Sequence, residues 1–160
     1  MYLRKIKIKK GQIIQTKGEF NTKIYHVLSG LLRSYSIDEK GKEHIFLFAP
    51  EGWTVADSIT PDKPCDLFID AIEDSVVVIS EKDPAAEATD IKKLRKRIWV
   101  MQTRIVMLMS ATAIERYEHF IDTYPDIVQR VPQRMIASYL GITPEALSKV
   151  KRDRVRKGVK

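Results

Sequence analysis

The chain has 160 residues, 44% of them apolar, a net charge of +7 and a single cysteine. That composition suits one domain, or one domain with a small appendage, and excludes a disordered chain as the default. No apolar run approaches the ~18 residues of a membrane span, the basic start MYLRKIKIKKG lacks the apolar stretch of a secretory signal, and Cys65 alone can form neither an internal disulfide nor a cysteine-held iron–sulfur cluster, so the expected setting is a reducing cytoplasm.

Residues 5 to about 80 read as short strands. Ile6 and Ile8 alternate with lysines, and Gln12 to Gln15 continues the β signal. Tyr25-His26-Val27-Leu28 runs into a Ser29-Gly30 turn, and Leu32–Ile37 and His44–Phe48 flank the polar turn Asp38-Glu39-Lys40-Gly41-Lys42. Leu67-Phe68-Ile69 and Val76–Ile79 follow. Six to eight such strands, separated by Gly, Pro and Asp turns, predict an antiparallel barrel or sandwich.

Asp83-Pro84 reads as a helix start, with Asp as the cap. From Ile91 the apolar period changes. Ile91, Leu94, Ile98, Met101, Ile105, Leu108 and Thr112 step alternately by three and four, a heptad seam. Trp99, Val106, Met109 and Ala113 form a second apolar set beside it. A helix with two apolar faces needs two partners, and a second copy of itself is the economical one, so a homodimer through this seam is expected. Glu115 to Val128 predicts another amphipathic helix, interrupted at Tyr124-Pro125.

The last thirty-one residues hold nine Lys and Arg against only Glu145 and Asp153, so they carry the whole net charge; residues 1–129 balance to zero. A basic end on a neutral body is the footprint of a polyanion partner. The same segment has a helix-turn-helix pattern. Ile136, Ala137 and Leu140 share one face of a first helix, Gly141 can end it in the left-handed conformation, and Ile142 anchors the turn. Thr143 then caps a second helix with Pro144 in its first position. Leu147 and Val150 turn inward, while Glu145, Ser148, Lys149 and Arg152 share an outward face at helical spacing. In the major groove of double-stranded DNA, Lys149 can donate to guanine, Glu145 can accept from cytosine, and Ser148 is small enough to permit close approach. Arg134, Thr143, Lys151 and Arg154 are placed for phosphates, which position without specifying.

A jelly-roll-like barrel, a long heptad helix and a helix-turn-helix, in that order, resemble the Crp/Fnr superfamily of bacterial transcription regulators. Lys10-Gly11-Gln12-Ile13-Ile14, Lys17-Gly18-Glu19, Tyr25–Gly30 and Pro50-Glu51-Gly52 look like successive landmarks of the cyclic-nucleotide-binding barrel. Ile136 to Ser148 looks like the helix-turn-helix common in Bacteroidetes members. The resemblance implies a mixed α and β fold: barrel over residues 1–88, dimerisation and connecting helices over 89–124, and DNA-binding domain over 125–160. It also implies contact with RNA polymerase, and an effector of unknown identity or none.

Three departures from the family pattern matter. Nucleotide-binding members carry a Gly-Glu pair that holds the ribose and an Arg-Ser pair that neutralises the cyclic phosphate. Here Ala56-Asp57 and Cys65-Asp66 stand in those places, making these four the effector-pocket candidates. Asp57 can still bind a hydroxyl, but Cys65 cannot neutralise a phosphate and Asp66 repels one. Cyclic AMP binding is therefore expected to be lost while the fold is kept. Only ten residues follow Val150, so no β-hairpin wing is expected there, and the helix that usually precedes the barrel is not expected in this sequence. His26, His44 and His119 lack metal-ligand spacing, and no glycine-rich phosphate loop, serine elbow or carboxylate pair appears, so neither metal, cofactor nor enzyme is expected. Two other classes stay open: a ligand-binding module with only non-specific nucleic-acid affinity, and a barrel that docks a protein partner.

Overall fold

The computed structural model describes residues 4–83, 85, 90–156 and 158. The chain divides into two compact units, Met1–Pro84 and Ala85–Lys160. No helix among the described residues is long and apolar enough to cross a membrane.

Among its described residues the first unit holds eight antiparallel strands: β1 Arg4–Ile8, β2 Ile13–Gln15, β3 Ile24–Ser29, β4 Leu32–Ile37, β5 Glu43–Ala49, β6 Thr54–Val55, β7 Phe68–Ala71 and β8 Ser75–Ser80. They form two four-stranded sheets, ordered β1-β8-β3-β6 and β2-β7-β4-β5. This is a jelly-roll arrangement of two sheets, not a closed barrel. Alternation decides which side chains meet. In β1, Lys5 and Lys7 face outward while Ile6 pairs with Val77 and Ile8 is buried. Those lysines also blunt β1 as an edge strand. The core between the sheets gathers Tyr25, Val27, Leu32, Ile69 and Val77 with Ile8, and each such fully buried aliphatic stabilises the fold by about 1.5–3 kcal/mol.

The other face of the second sheet is a polar and aromatic layer. Arg33 on β4 donates twice to Asp70 on β7, at 2.8 and 2.9 Å, and to Glu43 on β5 at 2.5 Å. Its guanidinium lies over the Tyr35 ring, which stacks on Phe68. Burial alone pushes the Arg33 cation toward neutrality, but its two carboxylate partners outweigh that and hold it charged.

The Ser29-Gly30 turn closes tightly. Gly30 has φ +89°, and a Cβ there meets Ser75 Oγ and lies 2.6 Å from the Asp74 carbonyl oxygen. Its amide donates to Glu51 and the next amide, of Leu31, donates to Ser75 Oγ. Only glycine fits both the angle and the space.

The second unit is helical: α1 Ile91–Ser110, α2 Ala113–Thr123, a 3-10 turn Ile127–Gln129, α3 Gln133–Leu140 and α4 Pro144–Arg156. The helix expected to start at Asp83-Pro84 falls largely outside the described residues. The heptad seam ends earlier than its sequence pattern. Thr112 starts α2 rather than ending α1: its hydroxyl accepts from the Glu115 amide, and the Glu115 carboxylate accepts from the Thr112 amide at 2.7 Å. That capping box satisfies the orphan donors of α2 and breaks the helix at Ala111. Leu108 is the least exposed of the seam residues within α1. It is half-buried, with its side chain beside Gly141. The remaining seam residues Ile91, Leu94, Ile98, Met101 and Ile105 are 45–60% exposed.

α2 ends at Tyr124, where Pro125 cannot continue it. Phe120, Tyr124 and Tyr139 then pack ring against ring, with centroids 5.3–5.6 Å apart, fixing α2 to α3.

Candidate nucleic-acid interface

The helix-turn-helix forms as its residues dictate. Ile136, Ala137, Leu140 and Leu147 are buried, and the small Ala137 allows close helix approach. Gly141 has φ +66°, its amide bonds back to Ala137 and Ser138, and the Ile142 amide bonds to the Ala137 carbonyl at 3.0 Å. This left-handed cap satisfies the Ala137 and Ser138 carbonyls in the last turn of α3 and turns the chain. The Thr143 hydroxyl accepts from the Ala146 amide at 3.2 Å, so Thr143 is the N-cap of α4 and Pro144 its first residue.

Glu145, Ser148, Lys149 and Arg152 are all exposed. They do not form one undivided surface. Glu145, Ser148, Lys151 and Arg152 line a shallow hollow together with Gln133, at the start of α3. Lys149 lines a second hollow with Thr112, Ala113, Ile114, Ala146, Val150, Asp153 and Arg156. Lys149 is exposed, four residues from Glu145 and three from Arg152 on the same helix face, Lys151 is half-buried, and Gln133 is a candidate the heptad and cap patterns had not singled out. Its signal was available: a polar amide in the first turn of α3, able to pair bidentately with adenine. Arg134 is exposed beside it.

Two side chains of this surface are already engaged locally. The Glu145 carboxylate is held below the usual glutamate range by hydrogen bonds from its own amide and from the Thr143 hydroxyl, so it stays anionic. Ser148 donates its hydroxyl to the Pro144 carbonyl at 2.9 Å. Arg154 is half-buried and close to Tyr117; burial pushes that phenol up, and the Arg154 cation partly offsets the rise. Arg154 therefore lies against α2 rather than standing clear of the surface.

Of the effector-pocket candidates, Asp57 and Cys65 are both buried and both lie near the Tyr25 phenol. Asp57 is 5% exposed, and its carboxylate meets the Lys82 ammonium at 2.6 Å. Lys82 also donates to Thr22 Oγ1 at 2.7 Å and to the Ile59 carbonyl at 2.8 Å, while the Ile59 amide donates to Asp57. Asp57 Oδ1 is thus held by an ammonium from the chain after β8, while Oδ2 is buried without a hydrogen-bond partner. Lys82 left no mark in the strand pattern, because nothing local shows that the chain after β8 folds back over the 56–59 loop. Cys65 is buried and donates to the Thr16 carbonyl at 3.1 Å; its amide and carbonyl pair with Glu19 and Gly18. Asp66 is exposed and Ala56 half-buried. Burial, with the negative charges of Glu19 and Asp57, pushes the nearby Tyr25 phenol up to about 12. Among the described residues no three His, Cys, Asp or Glu side chains gather to hold a metal ion.

A family model for the cyclic nucleotide-binding domain matches residues 5–88. The chain is 29% identical to the fumarate and nitrate reduction regulatory protein of Vibrio cholerae, covering 92% of this chain and 67% of that one. It is 27% identical to the anaerobic regulatory protein of Aggregatibacter actinomycetemcomitans, covering 92% and 65%. The chain thus spans about two thirds of the length of these curated relatives. In fold it is similar to FixK2 from Bradyrhizobium japonicum, with a TM-score of 0.74 at 21% identity over 99% of this chain and 87% of that one. It is also similar in fold to a CRP/FNR-family transcriptional regulator from Thermus thermophilus, with a TM-score of 0.71 at 18% identity over 97% and 87%.

Proposed function

Because the chain belongs to the cyclic nucleotide-binding domain family, in its Crp/Fnr branch, we propose that it is a dimeric, sequence-specific DNA-binding transcription regulator whose barrel does not take cyclic AMP. The observation that carries this reading is the α4 surface. A capped helix presents Glu145, Ser148, Lys151 and Arg152 outward beside Gln133, at the one end of the chain that holds the net charge. Gln133 and Arg152 carry planar groups suited to bidentate contact with adenine and guanine edges, and Glu145 selects cytosine by accepting from its amino group. Arg134, Lys149 and the free end of α4 supply phosphate contacts.

The exposed α1 seam supports dimerisation through Ile91, Leu94, Ile98, Met101 and Ile105. A two-fold dimer presents its two α4 helices to successive major grooves. The barrel reading rests on Asp57, whose carboxylate is buried against Lys82 in the place where nucleotide-binding members hold a ribose hydroxyl.

Selection of bound duplexes from a random pool tests the proposal. The expected result is enrichment of a pseudo-palindrome with half-sites about 34 Å apart, centre to centre. Recovery of sequences without a common motif overturns it.

A further inference from the structure

α1 and α3 both end without a cation of their own in the last turn. A helix C-terminus leaves carbonyl oxygens unpaired and carries partial negative charge, which a cation satisfies. Two arginines from elsewhere serve both ends. The Arg116 guanidinium, on α2, donates to the carbonyl oxygens of Leu108 at 2.7 Å and Ala111 at 3.0 Å, at the end of α1. It also donates to the Leu140 carbonyl at 3.1 Å, at the end of α3. Arg104, on α1, lies 3.9 Å from the centroid of the Tyr139 ring and donates to the Tyr139 carbonyl at 3.3 Å. Both arginines are half-buried.

We propose that Arg104 and Arg116 are positioning residues that lock the helix-turn-helix to the dimerisation helix and thereby set the spacing of the two half-sites the dimer reads. Each holds a carbonyl at the end of α3, Leu140 for Arg116 and Tyr139 for Arg104, one and two residues before the Gly141 turn that launches α4. The fork of a guanidinium is what the geometry uses: three carbonyls in different directions are held by one planar group with five N–H donors. A lysine in place of Arg116 is a point charge that cannot hold all of them. Because α1 relates the two copies, any play between α1 and α3 is doubled at the separation of the two α4 helices.

The inference rests on the dimeric DNA-binding reading, and its test separates the two. Arg116→Ala, Arg116→Lys and the double variant Arg104→Ala/Arg116→Ala are compared with the wild type in mass, melting and DNA selection. All variants are expected to remain folded dimers. Affinity for the selected palindrome should fall at least about tenfold, as expected when misalignment removes the avidity of the second half-site. Affinity for a duplex with one half-site should change less than about twofold, and the variants should accept spacers that the wild type rejects. Spin labels at Arg152→Cys give a second readout without DNA, since Cys65 is buried. The distance between the two labels should be sharply distributed in the wild type and broad in the double variant. Unchanged spacer preference with an unchanged label distribution overturns the inference, as does a monomeric wild type. A wild type that dimerises but selects no palindrome refutes the regulator reading alone, and the label distances then decide the positioning role. A variant that fails to melt cooperatively is replaced by Arg116→Lys, whose loss of spacing without loss of fold supports the same conclusion.

Discussion

The Lys82 ammonium lies 2.6 Å from the Asp57 carboxylate, and both side chains are shut away from solvent, at 5% and 2% exposure. This pair joins the loop after β6 to the chain leaving β8, and the Thr22 hydroxyl accepts a further hydrogen bond from Lys82. A buried pair of this kind is costly to break from one side, since the partner is left as an unpaired buried charge.

Lys82→Met should therefore destabilise the barrel by about 3–5 kcal/mol, whereas Asp57→Leu with Lys82→Met should recover most of that loss. Urea unfolding of the three proteins checks this. Equal midpoints for Lys82→Met and the wild type contradict it.

The same pair predicts an acid response. Burial raises the Asp57 carboxyl, but the hydrogen bonds from Lys82, Thr22 and the Ile59 amide, with the Lys82 charge, outweigh burial and hold it below the usual aspartate range. A depressed carboxyl stabilises the fold above its unfolded value of about 4 and loses that contribution as the pH falls further. The wild type should lose stability more steeply below about pH 4 than Asp57→Leu/Lys82→Met. Parallel acid-unfolding curves argue that Asp57 is not the responsible group.

Two glycines should respond differently to alanine. At Gly141 the added methyl meets only ordinary contacts, 3.6 Å from Arg116 and 3.8 Å from Leu108, so the cost is the left-handed backbone alone, about 1–2 kcal/mol. At Gly30 the methyl also strikes Ser75 and the Asp74 carbonyl, so the loss should be clearly larger. Thermal unfolding of both variants ranks them; the reverse order contradicts the turn geometry.

On DNA, the grouping of side chains divides reading from holding. Gln133 shares a hollow with Glu145, Ser148, Lys151 and Arg152, while Lys149 lines a neighbouring one. Gln133→Ala or Arg152→Ala should cost about 1–3 kcal/mol on the selected site and relax preference at one base pair per half-site. Lys149→Ala should weaken binding to every duplex and lower the salt slope by about one. Fluorescence anisotropy on selected and random duplexes at several salt concentrations separates these. A sequence-selective loss with Lys149→Ala returns the base contact to that residue.

Much of the architecture was legible in the order of residues because its causes are local. Lysine–isoleucine alternation in β1, the change to heptad steps at Ile91, and the Gly141-Ile142-Thr143-Pro144 turn each act within a few residues, through backbone preference and side-chain period. The net charge of residues 130–160 needs no fold to be counted.

What only the tertiary structure decided are the contacts between groups far apart in the chain. Asp57 meets Lys82 across twenty-five residues, Arg33 meets Asp70 across thirty-seven, and Arg116 meets Leu140 across twenty-four. No periodicity marks such pairs, since a buried charge reads in sequence like any exposed one. Thr112 illustrates the same limit at short range. Its place in the heptad and its fitness as a helix cap were both written in the sequence, and the capping box with Glu115 prevailed because it satisfies backbone donors that an extended α1 leaves to no one.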